Sequence, residues 1–344
     1  MPRPIAVITE SLDAEPASWL AERAILEHVS PESRRFEELA PEIDALLVRT
    51  YTRVDKALLG RLPTLQVVGR AGVGLDNIDV VACRDRGIEV VHTPEANTQA
   101  VVEYVVCLLA DALRPRVVLP GVVSTERWHE LRREVVAGRE MAECTLGVLG
   151  AGRIGRRVAE VATAIGFRVL WNDLRPACSL PGIPGEPTDI ETLFAESDVI
   201  TIHVDGRPGN RHLVGERLLR LLKSEATLLN TSRGMVIDAH ALARHLANHP
   251  GSQALLDVHD PEPIAADNPL LGLANAHLMP HLASRTRTAT RNMSWVVRDV
   301  WRVLEGEPPR HPAPSSDADP DATPDATPVA TPDSRRRPDS GPAS

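Results

Sequence analysis

CTLGVLGAGRIG, residues 144–155, joins a short apolar run to a glycine-rich loop with GxGxxG spacing. A stretch of helical character follows as far as Gly166, and a second apolar run ends at Asp173, 18 positions after Gly155. Glycines at this spacing permit a tight turn and a close approach of the backbone to a pyrophosphate, and the free N–H groups at the helix N-terminus face the phosphates. The stretch therefore predicts a dinucleotide-binding strand–loop–helix unit.

Asp173 bears on the choice between the two nicotinamide dinucleotides. A carboxylate at the end of the second strand can accept hydrogen bonds from both ribose hydroxyls and repels a 2′-phosphate. The sequence therefore predicts NAD as the cofactor. Arg175 lies two positions further on and could partly tolerate the phosphate of NADP, so that alternative stays open.

Apolar runs of strand length recur on both sides of this unit, with helix-like stretches between them. Those that follow it are FRVLWND (167–173), VITIHV (199–204), TLLNTS (227–232), QALLDV (253–258) and AHLMP (276–280). Those that precede it are IAVIT (5–9), ALLVR (45–49), LQVVGR (65–70) and IEVVHT (88–93), with helices predicted at ASWLAERAIL (17–26) and DVVACRDRG (79–87). This alternation is typical of parallel sheets covered on both faces, so we predict an α/β fold.

Two longer helices are also predicted. Asn97 can cap a helix from Thr98 to Arg114, whose apolar residues cover most of its surface. A final helix is predicted from about Arg285 to Glu305, after the last strand.

The composition limits the class of protein. With 344 residues, 43% of them hydrophobic and only 3% aromatic, the chain can bury two mainly aliphatic cores. The net charge of -9 argues against a nucleic-acid-binding surface spread over the protein, and no apolar run reaches the roughly 18 residues of a membrane span. Four widely spaced cysteines without a CxxC pair indicate reduced thiols. We therefore expect a cytoplasmic protein that binds small molecules and neither nucleic acid nor membrane.

The end of the chain differs in composition from the rest. From about His311 to Ser344 it is mostly Pro, Asp, Ala, Thr and Ser, with almost no large apolar residues. Such a segment cannot bury enough surface to offset the entropy of ordering it. We therefore predict a disordered tail over residues 311–344.

Arg233, Glu262 and His281 each follow one of the predicted strands. Parallel strands bring their carboxyl ends to one sheet edge, where ligands bind, so these side chains are expected to meet beside the glycine loop. Oxidation of a hydroxy acid needs a base for the hydroxyl proton, and His is suited to this near neutral pH. A carboxylate beside the His fixes its tautomer, and an Arg can hold the substrate carboxylate with two parallel hydrogen bonds.

The pattern alone leaves other interpretations of these residues open. A lone Arg, Glu or His in a loop is often simply solvated. His203, His259 and His277 also lie near strand ends and compete with His281 for the role of base. We expect no metal at the site.

Several segments together resemble the D-isomer-specific 2-hydroxyacid dehydrogenases. The three that resemble the family's signature segments are NTSRGMVIDAHAL (230–242), ALLDVHDPEP (254–263) and LMPHLAS (278–284). GVLGAGRIG (147–155) with Asp173 resembles the family's cofactor segment, and VGRAGVGLDNIDV (68–80) and VVHTPEANT (90–98) resemble its substrate segments. These motifs occur in the family's order over roughly residues 4–310. His203-Val204-Asp205 and the loop GRPGNRH (206–212) depart from the family's common HVP pattern.

The resemblance implies two Rossmann-like or flavodoxin-like parallel-sheet domains, with the coenzyme domain inserted into the substrate domain. It places the substrate domain at residues 1–97 plus 284–310 and the NAD-binding domain at residues 98–283. It also implies a homodimer formed through the coenzyme domain.

The resemblance further implies a set of site residues. Its catalytic residues fall on Arg233, Glu262 and His281, and its nicotinamide-carboxamide ligand falls on Asp257. The implied cofactor-binding residues are Gly150, Gly152, Arg153, Ile154, Gly155, Asp173, Val204, Thr231 and Asp257. The implied substrate-binding residues are Arg49, Arg70, Val73, Gly74 and Asn97.

Within the family the chain most resembles the short 3-phosphoglycerate dehydrogenases. Arg49 and Arg70 end two predicted parallel strands beside a glycine turn, where cations and N–H groups could hold a phosphate. We therefore expect 3-phosphoglycerate as the substrate. One alternative is a reductase of glyoxylate, hydroxypyruvate or another 2-keto acid. Another is an NAD-sensing binding protein resembling the C-terminal-binding corepressors, which place an aromatic residue where Ser284 and Arg285 stand here.

Overall fold

The computed structural model describes residues 3–314, and these form two parallel β-sheets. The first sheet has the order β2-β1-β3-β4-β5, with every pair of neighbours parallel. Its strands are β1 (Ile5–Ile8), β2 (Ile25–His28), β3 (Ile43–Val48), β4 (Val67–Arg70) and β5 (Glu89–Val91).

The second sheet has the order β12-β11-β10-β9-β6-β7-β8 and is also parallel throughout. Its strands are β6 (Thr145–Leu149), β7 (Arg168–Asn172), β8 (Glu186–Pro187), β9 (Val199–Ile202), β10 (Thr227–Asn230), β11 (Gln253–Leu256) and β12 (Ala276–Leu278). The chain runs from β6 to β7 on one side and later returns to β9 on the other side of β6. The strand order therefore reverses between β6 and β9, which is where ligands bind in such sheets.

Twelve helices cover the two sheets within the described residues. They are α1 (Ala14–Ala21), α2 (Arg34–Leu39), α3 (Lys56–Gly60), α4 (Val80–Arg84), α5 (Thr98–Leu113), α6 (Thr125–Glu134), α7 (Arg153–Ile165), α8 (Ile190–Glu196), α9 (Glu216–Leu219), α10 (Ala239–Asn248), α11 (Arg287–Ser294) and α12 (Val297–Leu304), besides short 3-10 turns. None of the helices in residues 3–314 is long and apolar enough to cross a lipid bilayer.

Aliphatic side chains fill the space between sheets and helices. Every residue of β6, β9 and β10 is buried. Helices cover both faces of the second sheet, so polar and apolar residues do not alternate along these strands. Leu46, Leu146 and Leu229 are fully buried, and each such side chain contributes roughly 1.5–3 kcal/mol to folding. The predicted α/β fold with two parallel sheets is confirmed.

The last helix returns the chain to the first sheet. Val297 and Val300 of α12 are completely buried against it. A side chain at Gly69 on β4 would lie 2.4 Å from Val300 Cγ2, so the helix sits directly on that strand. The C-terminal helix therefore completes a layer whose strands come from the beginning of the chain.

We predicted a single helix over residues 17–26, and this prediction is wrong. Helix α1 ends at Ala21, and β2 begins at Ile25. The reason is tertiary: Ile25 N–H donates to Pro4 O and β2 pairs in parallel with β1, which overrides the local helical pattern. The short strand β8 was also not predicted.

The helix predicted from Arg285 to Glu305 is also wrong as a single element. It breaks into α11 and α12 at Trp295 and Val296. Trp295 packs edge-on against Trp19 of α1, with ring centroids 6.2 Å apart, so packing against α1 accompanies the break between the two helices.

Asn97 occupies the N-cap position of α5, but its side chain makes no capping hydrogen bond. Its Oδ1 is buried and has no hydrogen-bond partner among the residues that the structure describes. The helix starts where we predicted, whereas the predicted capping interaction is wrong.

The prediction of disorder from His311 is wrong for the first residues of that segment. Pro312 forms an antiparallel bridge with Val91 of β5, and Ala313 N–H donates to Val90 O at 2.7 Å. Ala313 is buried in the core of the first sheet. The composition gave no sign of this because the pairing uses backbone groups. The rest of the predicted tail, residues 315–344, lies outside the described residues.

Helix α6 and its flanking residues contribute nothing to either core. No residue of α6 is buried. Large apolar side chains lie exposed along the segment, namely Val117, Val118, Val122, Trp128 and Val136. We call residues 117–136 the exposed arm.

Candidate active site

The ends of three neighbouring strands carry the candidate catalytic residues. Strands β10, β11 and β12 lie side by side, with Asn230 next to Leu256 and Leu256 next to Leu278. Arg233, Glu262 and His281 follow these strand ends in the sequence. All three therefore lie at the carboxyl edge of the second sheet, as we predicted.

Glu262 and His281 form a hydrogen-bonded pair at this edge. His281 Nδ1 lies 2.8 Å from Glu262 Oε2, and the backbone N–H of His259 donates to Oε1 at 3.0 Å. Burial raises the pKa of Glu262, but the hydrogen bonds from His281 and His259 outweigh it and hold the pKa below its ordinary value. The carboxylate is therefore ionised at neutral pH and fixes the ring through Nδ1, which leaves Nε2 for proton exchange.

Asp257 holds the loop that carries His281. Its carboxylate is fully buried and accepts hydrogen bonds from Leu282 N–H and Ala283 N–H, both at 2.7 Å. Its carbonyl oxygen accepts from His281 N–H at 2.9 Å. His281 has a φ of 57°, an uncommon value for a residue other than glycine, and these bonds stabilise it. The family resemblance implied only a cofactor contact for Asp257, so its role in holding this loop was not predicted.

The three competing histidines are placed differently. His203 is bonded through Nε2 to Thr201 Oγ1 at 2.9 Å, and burial lowers its pKa to about 3. His259 Nε2 donates to Met279 O at 2.8 Å, and His277 lies exposed on β12. Of the four, His281 is the one whose ring is paired with a carboxylate.

Arg233 points across to the first sheet. Its Nε donates to Asp76 Oδ2 at 2.7 Å, and its Nη1 donates to Ser232 O at 2.7 Å. A side chain at position 74 would collide with Arg233 Nη2, so the guanidinium lies directly over Gly74. The sequence did not single out Asp76.

Arg70 lies at the end of β4, beside this turn. Its Nη1 makes a long hydrogen bond of 3.4 Å to Ala71 O, and its Nε is buried without a partner among the described residues. Burial, and then the nearby charge of Arg233, lower the pKa of Arg70 to about 10. A guanidinium in this state is poised to bind an anion.

Arg49 follows β3 and is also buried. Its Nη1 donates to Ser11 O at 3.2 Å. Burial lowers the pKa of Arg49, and the positive charge of Arg285 lowers it further. Arg49 and Arg70 therefore bring two cations to the carboxyl edge of the first sheet.

The loop after β3 is held by one carboxylate. Glu10 accepts hydrogen bonds of 3.0–3.1 Å from four consecutive backbone N–H groups, those of residues 49–52. On the other side, Asn77 Nδ2 donates to Arg49 O and to Thr52 O. The sequence offered no signal for Glu10, since its partners lie 39–42 positions away.

The turn with the predicted substrate contacts Val73 and Gly74 is fixed from β5. His92 is buried, and its Nδ1 donates to Val73 O at 2.8 Å. Thr93 Oγ1 and Asn97 Oδ1 are buried nearby in the sequence and lack hydrogen-bond partners among the described residues. Such atoms are available to a bound ligand.

An opening of about 530 Å³ separates the two sides of the site. It is lined by Thr50 and Tyr51 from the first sheet's loop, and by Glu262 and Pro263 from the second sheet. Glu262, the carboxylate of the candidate acid/base pair, therefore faces the loop that Glu10 holds.

The glycine loop forms a cradle at the switch between β6 and β9. A side chain at Gly155 would lie 1.9 Å from Gly150 O, so only glycine permits the helix to start this close to the strand. Gly152 is the N-cap of α7 and has no side chain to occupy the first N–H groups. Arg153 and Ile154 form the first turn of α7, and Arg153 pairs with Glu95 at 3.6 Å. The N-terminus of α7 is therefore shaped to receive phosphate groups.

Asp173 lies beside the glycine loop after β7. Its Oδ2 accepts from Ala151 N–H at 2.8 Å, and its Oδ1 pairs with Arg175 Nε at 3.0 Å. Burial raises its pKa, but the hydrogen bonds from Arg175 and Ala151 hold it below the ordinary value. The carboxylate is therefore ionised and is hydrogen-bonded directly to the backbone of the glycine loop.

The far side of the cradle fits the same ligand. Thr231, after β10, has a buried Oγ1 without a hydrogen-bond partner in the described part of the chain. Val204 follows β9, and its backbone lies against Gly150. A glycine cradle, an ionised carboxylate and an unpaired hydroxyl together suit a nicotinamide dinucleotide.

A comparison with protein families identifies this arrangement. The family model described as D-isomer specific 2-hydroxyacid dehydrogenase, NAD binding domain, matches residues 107–283.

Curated relatives span several substrates. The chain is 37% identical to an (S)-sulfolactate dehydrogenase of Chromohalobacter salexigens over 76% of this chain and 85% of the relative. It is 37% identical to a glyoxylate reductase of Aeropyrum pernix over 76% of this chain and 79% of the relative. A D-3-phosphoglycerate dehydrogenase of Archaeoglobus fulgidus is 32% identical over 89% of this chain, which spans 58% of that longer enzyme.

Solved structures share the fold. The D-lactate dehydrogenase of Aquifex aeolicus, solved with NAD and lactic acid, superposes with a TM-score of 0.75 at 26% identity, covering 88% of this chain and 96% of that chain.

Proposed function

The chain belongs to the D-isomer specific 2-hydroxyacid dehydrogenase family, and we propose that it acts on a 2-hydroxy acid with a second anionic group at C3, with 3-phosphoglycerate as the substrate. It is an NAD-dependent dehydrogenase acting on the CH–OH group. We further propose that residues 98–283 bind NAD and that residues 1–97 with 284–310 bind the substrate. Because Ala313 pairs with β5, the proposed substrate-binding region extends to residue 313.

His281 is the proposed acid/base. In oxidation its neutral Nε2 takes the proton of the C2 hydroxyl, and in reduction the imidazolium returns it. Glu262, bound to Nδ1 at 2.8 Å, stabilises the imidazolium and prevents the ring from turning. NAD, when bound, supplies the acceptor for the hydride that leaves C2.

Arg233 is the proposed ligand of the substrate carboxylate. Two parallel hydrogen bonds from the ends of its guanidinium would orient C2 toward His281 and polarise the oxygen on that carbon.

The observation that carries the substrate proposal is the pair of buried arginines at the first sheet. Arg70 has a buried Nε without a partner in the described chain, and Arg49 is buried beside it with a single hydrogen bond to a carbonyl group. A carboxylate at C1 already has Arg233, so two further cations suit a second anion at the far end of the molecule. A phosphate carries about -1.5 to -2 charge near neutral pH and satisfies both.

Sulfolactate is the second candidate, and the relative at 37% identity favours it. Its sulfonate at C3 is also an anion. The (S) label of sulfolactate describes the same arrangement around C2 as the (R) label of 3-phosphoglycerate, because the sulfur-bearing carbon outranks the carboxyl group. The same arrangement of catalytic residues can therefore act on both acids. The two differ in the charge of the group at C3, a phosphate or a sulfonate.

The test is a kinetic panel of keto acids with NADH. We expect the highest kcat/KM for 3-phosphohydroxypyruvate, then sulfopyruvate, and much lower values for hydroxypyruvate and glyoxylate. Arg49→Ala and Arg70→Ala should each raise the KM for the phosphorylated acid about 10–100-fold, as expected for a lost charged hydrogen bond, and leave glyoxylate nearly unchanged.

Arg53→Ala is the matched control, since Arg53 is an exposed arginine of the same loop. It removes the same charge without touching the buried pair. A wild-type preference for glyoxylate, or equal effects of Arg49→Ala on all four acids, would reject the C3-anion proposal and leave the family assignment.

We also propose that the protein is a homodimer in which a second copy covers the exposed arm. Monomeric proteins rarely leave several large apolar side chains together in solvent, and five lie in these residues. Light scattering after gel filtration should give a dimer for the wild type and a monomer for Val118→Asp. Val81→Asp, at an exposed valine on α4, should remain dimeric. A monomeric wild type would refute the proposal.

A further inference from the structure

We propose that Asp76 is a positioning residue for Arg233, and that Gly206 keeps the space in which Asp76 reaches it. The inference rests on the proposed role of Arg233 as the ligand of the substrate carboxylate. It concerns the loop 206–212, which departs from the family's common pattern.

The hydrogen bonds of Arg233 decide which part of its guanidinium faces a ligand. Asp76 Oδ2 takes the Nε–H at 2.7 Å, and Ser232 O takes one hydrogen of Nη1. Nη2 has no partner among the residues that the structure describes. The two terminal nitrogens therefore retain three hydrogens, enough for two parallel bonds to a carboxylate. Asp76 thus turns the guanidinium so that its end-on face is free.

Gly206 lies directly against this ion pair. A Cβ at position 206 would lie 2.1 Å from Asp76 Oδ1, 2.9 Å from Asp76 Cγ and 3.1 Å from Arg233 Cγ. The contact is with Oδ1 of the Asp76 carboxylate, whose other oxygen, Oδ2, accepts from Arg233 Nε, so we expect a side chain at position 206 to displace the carboxylate and weaken that bond. The absence of a side chain at 206 therefore has a specific consequence for Arg233.

Asp205 holds Gly206 in that place. Its Oδ1 accepts from Arg207 Nε at 2.7 Å and from Asn210 Nδ2 at 3.0 Å. These bonds close the loop on itself, directly after β9, so the backbone at Gly206 is fixed against Asp76. Asp205, which stands in place of the family's proline, thus has a structural use here.

The charges around Asp76 keep it ionised. Burial raises its pKa, but Arg233 and Arg70 lower it, and the net result lies below the ordinary value. Asp76 follows β4 of the first sheet and Arg233 follows β10 of the second, so this ion pair joins the carboxyl edges of the two sheets.

The experiment compares two alanine substitutions in one loop. Gly206→Ala should raise the KM for 3-phosphohydroxypyruvate and for hydroxypyruvate about tenfold or more, since small misplacements of a binding group are costly. The KM for NADH and the melting temperature should remain near the wild-type values. Gly209→Ala is the control, because a side chain there meets nothing within 4 Å; it should match the wild type.

Asp76→Asn and Asp76→Ala provide a second, independent measurement. Asn retains an oxygen that can accept from Arg233 Nε, so Asp76→Asn should raise the KM less than Asp76→Ala. A merely structural role would lower the melting temperature in both without this graded change in KM. If Gly206→Ala does not fold, the Asp76 pair decides alone.

Arg233→Ala separates failure of this inference from failure of the proposed function. A KM unaffected by Arg233→Ala would overturn the carboxylate role, and with it this proposal. A KM strongly raised by Arg233→Ala, but unchanged in Gly206→Ala and Asp76→Ala, would overturn the positioning role alone.

Discussion

Two carboxylates near His281 differ in state because their surroundings differ. Glu262 receives hydrogen bonds from an imidazole and a backbone N–H, and its pKa lies below the ordinary value. Asp257 is fully buried; burial raises its pKa, and two backbone N–H groups oppose this only in part. The first carboxylate thus interacts with the ring and the second with the backbone that carries it. Environments that separate two acids in this way are typical of catalytic sites.

We predict that His281→Gln lowers kcat about 10²–10⁴-fold, the usual contribution of general acid–base catalysis. NADH binding, followed by fluorescence, should be retained because the glycine loop is untouched. His277→Gln, at an exposed histidine on β12, is the control and should have wild-type activity. A fully active His281→Gln enzyme would direct attention to another base.

Glu262→Gln tests the same pair through pH. It removes the negative charge that stabilises the imidazolium, so protonation of the ring becomes harder. Oxidation requires the neutral ring, so its rise in kcat with pH should move to lower pH. Reduction requires the protonated ring and should lose activity at a lower pH than in the wild type. Unchanged profiles in both directions would contradict the proposed coupling.

We predict that the choice between NAD and NADP depends on Asp173. In Asp173→Ser the ratio of kcat/KM for NAD over NADP should fall by roughly one to two orders of magnitude, because the repulsion of a 2′-phosphate is lost and Arg175 can turn toward it. Adding Arg175→Ala should cancel most of the gain with NADP. Equal use of both cofactors by the wild type would show that Asp173 does not select between them.

Residue types at strand ends could be predicted from the sequence, but their partners could not. Arg233, Glu262 and His281 stand out because the strand pattern places them at one edge. Asp76 and Glu10 do not, because each is defined by a contact with a residue far along the chain. Side-chain bonds of this kind depend on how separate elements approach one another, which no local pattern encodes.

At the scale of elements, the loop after β3 is rigid for an identifiable reason. Glu10 takes four N–H groups of residues 49–52, and Asn77 donates to two carbonyl groups of the same stretch. Residues 49–52 are therefore held in place without regular secondary structure, and Thr50 and Tyr51 among them line the opening. A carboxylate in a nest of N–H groups is an arrangement that proteins also use for bound anions.

We predict that Glu10→Gln destabilises the protein by about 1–3 kcal/mol at pH 7, since one acceptor oxygen is replaced by an N–H group. The pKa of Glu10 in the folded state lies below its ordinary 4.5, despite the opposing effect of burial. Its stabilisation is therefore complete above that value and is lost as the pH falls through the folded pKa. Urea unfolding should therefore show a smaller difference in the free energy of unfolding between the wild type and Glu10→Gln at pH 3.5 than at pH 7.

Glu305→Gln, at an exposed carboxylate after α12, is the control and should match the wild type at both pH values. A difference between Glu10→Gln and the wild type that stays constant with pH would contradict the assignment.

Elements with continuous apolar runs were predictable, whereas those set by packing were not. The buried strands β6, β9 and β10 could be predicted from the sequence, because strands covered on both faces appear as continuous apolar runs. Strand β2 was not predicted, and its first two residues were assigned to a helix, since Ile25–His28 lie at the sheet edge, none of them is fully buried, and they lack a strand pattern. The break between α11 and α12 arises where Trp295 meets Trp19, a contact between the two ends of the chain.

At the scale of the whole molecule, the last described residues close the first sheet. Asp299 on α12 is buried and accepts from Arg310 N–H and His311 Nδ1, both at 2.8 Å. The chain then pairs with the free edge of β5, and His311 O accepts from His92 N–H at 3.1 Å. His92 in turn holds Val73 in the substrate turn. The segment 310–313 is thus connected to the site through one histidine.

Two truncations separate this segment from the residues after it. A chain ending at residue 314 should melt within about 1–2 °C of the full chain, since the remaining composition offers little apolar surface to bury. A chain ending at residue 309 leaves the Asp299 carboxylate buried without its two donors, which costs about 2–3 kcal/mol, and also removes Ala313 from the core. Its melting temperature should fall by several degrees, and its KM for the keto acid should rise because His92 loses a bond. If the chain ending at residue 309 is as stable and active as the one ending at residue 314, residues 310–313 do not support the first sheet. If the chain ending at residue 314 has a much lower melting temperature than the full chain, residues after 314 contribute to the stability of the folded protein.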